Sequence, residues 1–319
     1  FLVEGNWQDL WYDTKSSGGL FVRESARFRY WVTEVGSRGP GGEGGFKAVR
    51  WRYHLYVSLA CPWAHRTLIM RALKGLEELV SVSVVSPIML DDGWTYDTAT
   101  GSSGDSLGER QFHHQVYTDA VSDYTGRVTV PVLWDRQRNA IVNNESSEII
   151  RMFNTAFNSL TGNSQDYYPE ALRQGIDAWN ERIYPAINNG VYRAGFATTQ
   201  PAYEEAYAEL FAELDALDAH LANNRYLLGD VLTEADIRLF TTLIRFDSVY
   251  HGHFKCNRQR LEDYAHLPDY VRDIYQLPGV AETVNFDHIK RHYYASHKTI
   301  NPTGVVPLGP DIDYSQRRR

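Results

Sequence analysis

Thiols are nearly absent from this chain: among 319 residues only Cys61 and Cys256 carry one. Two cysteines in so long a chain exclude a disulfide framework, and a reducing, cytoplasmic setting suits them best. Long apolar runs are missing too. No stretch reaches the roughly 18 consecutive apolar residues of a membrane span, so no membrane partner is expected. Positive charge is in short supply, with 32 Lys and Arg against 40 Asp and Glu and a net charge of −8. That balance argues against a nucleic-acid partner or an anionic membrane surface. No internal repeat or low-complexity domain is visible. The glycine-rich stretch 37–45 lacks the Lys-Ser/Thr ending of a phosphate-binding loop and reads as a mobile loop. The chain opens at Phe1, so residues are expected before it, and no secretory leader is visible.

What remains is an ordinary globular composition, 43% hydrophobic and 23% charged, of a length that suggests two domains. The unusual feature is aromatic: 21 Tyr and 8 Trp. Some of these suit a pocket for a flat aromatic ligand, since tyrosine offers both a ring and a hydroxyl.

One stretch organises the chain, Leu55-Tyr56-Val57-Ser58-Leu59-Ala60-Cys61-Pro62-Trp63-Ala64-His65-Arg66. An apolar β-branched and aromatic run leads into a cysteine, then a proline, then a helical segment. Pro62 suits the first helical position, where its missing N–H is no loss. Cys61 is then at the N-cap, facing unsatisfied N–H groups and the positive end of the helix dipole, a setting that favours the nucleophilic thiolate. The alternative is a buried structural cysteine. Ala64 stands where a dithiol motif would place its second cysteine. An oxidised Cys61 must therefore be resolved by an outside thiol, as in glutathione-type exchange through a mixed disulfide. His65 and Arg66, on the first turn, are candidates to support the thiolate, with a plain surface role as the alternative for His65.

In chain order, 1–50 shows little regular pattern and reads as an N-terminal extension packed on the body. A strand is expected over 53–60, a helix over 62–76 and a strand over 80–85, together a βαβ unit with parallel strands. An insertion over 86–127 carries Trp94 and Tyr96 and a short helix within 107–121. A strand broken by Pro131 (128–135) and a second at 141–142 form an antiparallel hairpin. A helix over 147–157 comes after an acceptor-rich start, 143–148. This is the thioredoxin-type order, placed at 51–160. From about Tyr168 the chain turns all-helical, with expected helices at 169–187, 201–223, 233–250, 260–264, 269–276 and 280–285. The helix at 169–187 is expected to end near Asn188-Asn189-Gly190. The long one carries Leu210, Phe211, Leu214, Leu217 and Leu221 at spacings of three and four. Thr233 and Asp236 form a capping box. The stretch 288–319 reads as mostly irregular, with a solvated Arg317-Arg318-Arg319 tail.

Two further constellations accompany Cys61. Val130-Pro131 is either a cis turn, leaving the Val130 main chain to pair with an extended peptide, or a plain edge-strand proline. Ser146, at a helix start, can bind a carboxylate through its hydroxyl and backbone N–H, and Glu145 an ammonium. The pair suits the zwitterionic end of a γ-glutamyl group, or is ordinary capping. His251-Gly252-His253-Phe254-Lys255-Cys256 lacks a matching second cluster and fits no zinc module, so no metal is expected.

Cys61-Pro62-Trp63-Ala64, Val130-Pro131, Glu145-Ser146 and the Thr233–Asp236 box resemble a glutathione transferase. With the Trp94 insertion, Asn188-Asn189-Gly190-Val191-Tyr192 and the segment from Asn285 to Tyr294, the chain resembles the Xi class, the glutathionyl-hydroquinone reductases. The resemblance spans Trp7 to about Pro307. It implies a thioredoxin-like domain followed by an all-helical acceptor-binding domain (168–319), in a homodimer. It implies Cys61 as nucleophile, glutathione bound by Trp94, Arg127, Val130, Glu145 and Ser146, and hydroquinone hydroxyls bonded by Tyr192 and Tyr293. Glutathione would be a co-substrate, with no permanently bound cofactor. The competing expectations are an Omega-like thiol transferase or dehydroascorbate reductase using the same cysteine, and a non-catalytic binding protein. Conjugation of glutathione to electrophiles is disfavoured, because it normally needs Ser or Tyr at this position.

Overall fold

The computed structural model describes residues 1–42 and 44–316; the expected Arg317-Arg318-Arg319 tail and Glu43 lie outside the described residues. The chain forms two compact units, neither contiguous in sequence. The first comprises Phe1–Trp11, Glu24–Asp166 and Glu282–His292; the second comprises Tyr12–Arg23, Tyr167–Ala281 and Tyr293 onward. The N-terminal fifty residues are thus shared between the units, and 282–292 belongs with the first.

The first unit is built on a four-stranded sheet. Two small strand pairs precede it, in a region whose sequence shows little regularity: β1 (Leu2–Val3) with β2 (Asn6–Trp7), antiparallel, and β3 (Trp31–Thr33) with β4 (Gly45–Lys47), parallel. The main sheet holds β5 (Tyr53–Val57), β6 (Val80–Val84), β7 (Val132–Asp135) and β8 (Ala140–Asn143), in the order β6-β5-β7-β8. β5 runs parallel to β6 and antiparallel to β7, and β7 is antiparallel to β8. All five residues of β5 are buried, as expected of an inner strand covered on both faces. The parallel β5–β6 pair needs a crossover, and α1 (Pro62–Leu73) supplies it. Gly75, at φ +66°, turns the chain after that helix. The insertion contributes a 3₁₀ turn (Thr98–Thr100) and α2 (His114–Ala120). Then come α3 (Ser146–Thr155), which packs beside α1, and the single turn α4 (Asn158–Thr161).

The proline divides the expected strand over 128–135. Pairing begins only at Val132, and the Val130-Pro131 bond is cis. Register decides what meets at this end of the sheet. Tyr56 pairs with Val132 and Leu133 with Asn143. The end of β5, the start of β7 and the end of β8 therefore share one edge, and Cys61, Val130 and Glu145-Ser146 all adjoin it in sequence.

The second unit is helical: α5 (Arg173–Ile183), α6 (Gly190–Gly195), α7 (Gln200–Leu221), α8 (Glu234–Leu243) and α9 (Leu267–Tyr275). Asn188-Asn189-Gly190 does not terminate a helix. Tyr184–Asn188 is a π-helical turn that runs directly into α6. Asn188 holds it, its amide donating to Arg238 O (3.0 Å) and Thr242 Oγ1 (2.8 Å). A second π-turn, Phe246–Tyr250, replaces the last part of the helix expected to reach 250. α8 carries the capping box: Asp236 Oδ2 accepts from the Thr233 N–H (2.9 Å) and hydroxyl (3.0 Å).

The region from 288 is not irregular throughout. α10 (Phe286–Ser296) occupies its start, with 286–292 in the first unit and 293–296 in the second. Asn285 Oδ1 caps it by accepting the His288 N–H at 2.9 Å. Its buried positions are His288, Ile289, His292 and Tyr293. They have helical spacing, but three of the four are His or Tyr, so hydrophobic periodicity does not reveal the helix.

Candidate active site

In the first unit, the chain leaves β5 and turns at 58–60, and Cys61 caps α1 in extended conformation (φ −74°, ψ 121°), with Pro62 as the first helical residue. Its Sγ lies 3.7 Å from the Val130 carbonyl oxygen across the sheet edge. Cys61 is only partly buried. Local sequence accounts for all of this: a buried strand, a sharp turn, and a proline tolerated at that one helical position.

His65 and Arg66 are both buried, so the surface role for His65 is excluded. His65 Nε2 pairs with Thr283 Oγ1 at 2.8 Å. Arg66 lays its guanidinium over the Trp63 ring, 4.5 Å from the centroid, and donates to Ser146 Oγ at 3.4 Å. That bond ties the first turn of α1 to the first residue of α3 and brings positive charge to the α3 N-terminus, where the helix dipole already favours an anion. Glu145 is the α3 cap: its Oε1 accepts from the Ser147 N–H (3.0 Å) and hydroxyl (2.9 Å).

Trp94 stacks on His292, with centroids 4.8 Å apart and planes 21° apart. His292 Nδ1 meets the Pro87 carbonyl at 3.0 Å, so Nδ1 carries the proton. Arg127 faces the N-terminal segment, donating to Leu10 O (Nη1, 2.6 Å) and Trp11 O (Nη2, 3.1 Å) and pairing with Glu24 at 3.4 Å.

A supporting set behind Val130 is not apparent from sequence. Thr129 O takes the His113 imidazole (Nε2, 3.0 Å) and the Tyr117 hydroxyl (2.9 Å), and the Thr129 N–H donates back to that hydroxyl at 3.1 Å. His113 Nδ1 meets the Tyr96 hydroxyl at 2.8 Å. Burial lowers the His113 pKa to about 4, partly opposed by its bond to Thr129. The one sequence signal is the pair His113 and Tyr117, four apart at the start of a short helix.

In the second unit, Tyr192 on α6 and Tyr293 on α10 come together, their hydroxyls directly hydrogen-bonded. Tyr250, not singled out in the sequence, joins them with its hydroxyl 3.1 Å from that of Tyr293. Burial pushes the Tyr250 and Tyr293 phenols well above their ordinary pKa, so both stay protonated at neutral pH. Tyr192 comes just after one π-turn and Tyr250 ends the other; such turns recur at functional sites. Phe254 closes the cluster over bare backbone: a Cβ on Gly195 would sit 2.2 Å from the Phe254 ring. His253 pairs with His297 (3.1 Å), and Cys256 is fully buried, its Sγ 3.8 Å from Phe254 O. Among the described residues no group of three or more His, Cys, Asp or Glu is arranged to hold a metal ion, and no helix is long and apolar enough to cross a membrane.

Two family models match the chain: "Glutathione S-transferase, N-terminal domain" over residues 60–156 and "Glutathione S-transferase, C-terminal domain" over residues 200–273. The chain is 60% identical to the glutathionyl-hydroquinone reductase YqjG of Escherichia coli, over 98% of this chain and 96% of that protein. The glutathione-bound structure of YqjG superposes with a TM-score of 0.92 at 55% identity, covering 100% of this chain and 98% of that one. The Xi-class transferase of Natrialba magadii gives 0.89 at 47% identity, over 99% and 94%.

Proposed function

We propose how catalysis runs in this chain from the premise that it belongs to the glutathione transferase family, among the Xi-class glutathionyl-hydroquinone reductases. It reduces glutathionyl-hydroquinones to hydroquinones with glutathione as the reductant. Cys61 is the nucleophile. Its thiolate bonds to the glutathione sulfur of the substrate, and the carbon–sulfur bond breaks with its electron pair kept by the ring. The ring carbon gains a proton, hydroquinone leaves, and Cys61 holds glutathione as a mixed disulfide. A second glutathione thiolate attacks that disulfide, forming glutathione disulfide and expelling the Cys61 thiolate. Cys61 at the head of α1, with alanine rather than cysteine at 64, carries this reading: the site can form the mixed disulfide and cannot resolve it internally.

Around that sulfur, Val130 offers its main chain to the extended tripeptide. Ser146 and the α3 N-terminus, reinforced by Arg66, receive the γ-glutamyl carboxylate, and Glu145 receives the ammonium. Trp94, braced by His292, lines the same glutathione site, and Arg127 adds positive charge to it. Tyr192 and Tyr293 hydrogen-bond the hydroquinone hydroxyls and stabilise the ring in the form that accepts the proton. No permanently bound cofactor is needed. The chain works as a homodimer in a reducing, cytoplasmic setting, and sedimentation of the purified protein tests the dimer.

The deciding experiment mixes the enzyme with one equivalent of glutathionyl-benzohydroquinone. The expected result is one equivalent of hydroquinone released and one glutathione adduct, mapped to Cys61 by intact mass and peptide analysis. Efficient reduction of dehydroascorbate or small disulfides without hydroquinone release would overturn the reading.

A further inference from the structure

The segment Tyr12–Arg23, assigned by sequence to an N-terminal extension, is part of the helical unit. It is stitched there by the Thr198 N–H to Gly19 O (3.1 Å) and the Thr199 hydroxyl to Gly18 O (3.0 Å). Phe21, buried, sits against Phe196 (centroids 5.2 Å apart) and Tyr192 (6.3 Å). The segment ends on Arg23. Its Nε donates to Asn189 Oδ1 at 2.8 Å, and its Cζ lies 4.5 Å from the centroid of the Tyr192 ring. Asn189 is the residue before α6, so the element that carries Tyr192 also grips the cation laid on Tyr192. A cation on a phenol face is attracted by the ring quadrupole, and it gains most when negative charge grows at or beside the phenol oxygen.

Charge grows there if the reaction takes its easiest route. An aryl carbanion is a poor leaving group. In the keto tautomer, one hydroxyl proton of the glutathionyl-hydroquinone has moved to the sulfur-bearing carbon. When the Cys61 thiolate then bonds to sulfur, the carbon–sulfur electron pair enters the ring and lands on the former hydroxyl oxygen. The products are the Cys61–glutathione disulfide and a hydroquinone monoanion, which takes one proton from solvent. A tyrosine O–H aimed at that oxygen stabilises the charge as it forms.

We propose that Arg23 is a positioning residue for this step: held by Asn189 across the Tyr192 ring, it orients that phenol and strengthens its hydrogen bond to the oxygen that becomes anionic. The inference rests on the reading of Tyr192 as a partner of the acceptor hydroxyls. Arg23 acts through Tyr192 and not on the Cys61 thiol.

The test is a leaving-group series. Wild type, Arg23→Met and Arg23→Lys are assayed on glutathionyl-benzohydroquinone and on chlorinated congeners with more acidic hydroxyls. Arg23→Met should lower kcat on the parent compound about tenfold with little change in KM, within the range of a desolvated cation–π contact. The loss should shrink to roughly twofold on the most chlorinated member, whose oxyanion needs less help. Arg23→Lys, which keeps the charge, should recover most of the parent rate. All three proteins should reduce a small glutathione mixed disulfide equally well, which also establishes that the variants are folded. An equal fractional loss across the series, or a wild-type rate in Arg23→Met, would overturn the role of Arg23. Failure of the wild type to release hydroquinone would instead overturn the functional reading.

Discussion

The two cysteines sit in opposite surroundings. Cys61 caps a helix at a sheet edge, partly open, with a backbone carbonyl across from it. Cys256 is fully buried behind Phe254 in an aromatic cluster, its N–H bonded to Tyr250 O at 3.0 Å, and burial pushes its thiol far above the usual range. One neighbourhood leaves a sulfur partly open at a helix N-terminus; the other buries a sulfur beside three hydrogen-bonded phenols. On the proposed reading, sulfur chemistry and ring chemistry fall to different residue sets.

The sharpest way to break this contrast is to remove the Cys61 sulfur. Cys61→Ser should lower hydroquinone release by at least about a thousandfold, as loss of a nucleophile does, while isothermal titration still detects glutathione binding. Retained turnover would move the nucleophile elsewhere. Labelling sharpens the same point. At neutral pH iodoacetamide should modify Cys61 in the native protein. Cys256 should react roughly a thousandfold more slowly or less, because it is reached only by opening the fold. Mass spectrometry along a urea series should show Cys256 labelling track unfolding.

Next in size is the support behind Val130. The His113 pKa is about 4 in the fold against an ordinary 6.5, and His54 is likewise lowered to about 4 by burial. Between those pH values the unfolded chain binds protons that the folded chain refuses. Stability is therefore fully present above pH 6.5 and is lost as pH falls towards 4, by roughly 3 kcal/mol for His113 alone. Urea midpoints at pH 7 and pH 4.5 measure this, and His113→Gln should flatten about half of the slope. A smaller effect is expected in the tyrosine cluster. Tyr293→Phe removes one hydroxyl from the network and should reduce kcat on glutathionyl-benzohydroquinone by about 2 kcal/mol in activation free energy, near thirtyfold. Reduction of a small glutathione mixed disulfide should be unchanged. Equal losses in both assays would erase the division between the two neighbourhoods.

Local chemistry is legible in the sequence, and distant pairing is not. The Cys61–Pro62 junction, the Glu145-Ser146 helix start and the Thr233–Asp236 box each depend on residues a few positions apart, and each stands in the structure where the pattern places it. The braces depend on partners far away in sequence. His113 reaches Thr129, Trp94 reaches His292, and Arg23 reaches Asn189, none within one element. The π-turns are hidden for another reason. Asn188-Asn189-Gly190 has the composition of a terminator, but the Asn188 amide is bonded to α8, and that tertiary bond carries the helix through. Tyr250 is masked in the sequence because three possible metal ligands come directly after it and direct the reading towards metal binding rather than phenol chemistry.

The bond between His65 and Thr283 also bears on how the protein is made. Its partners are 218 positions apart, and the unit that holds Cys61 includes Glu282–His292. On a ribosome adding about 5–20 residues per second, the segment that completes this unit emerges roughly ten to forty seconds after the cysteine does. Through that interval the first turn of α1 lacks its neighbour Thr283, and the Cys61 thiol stands in an unfinished unit. Translation order therefore delays completion of the unit around Cys61 until nearly all of the helical unit has been synthesised.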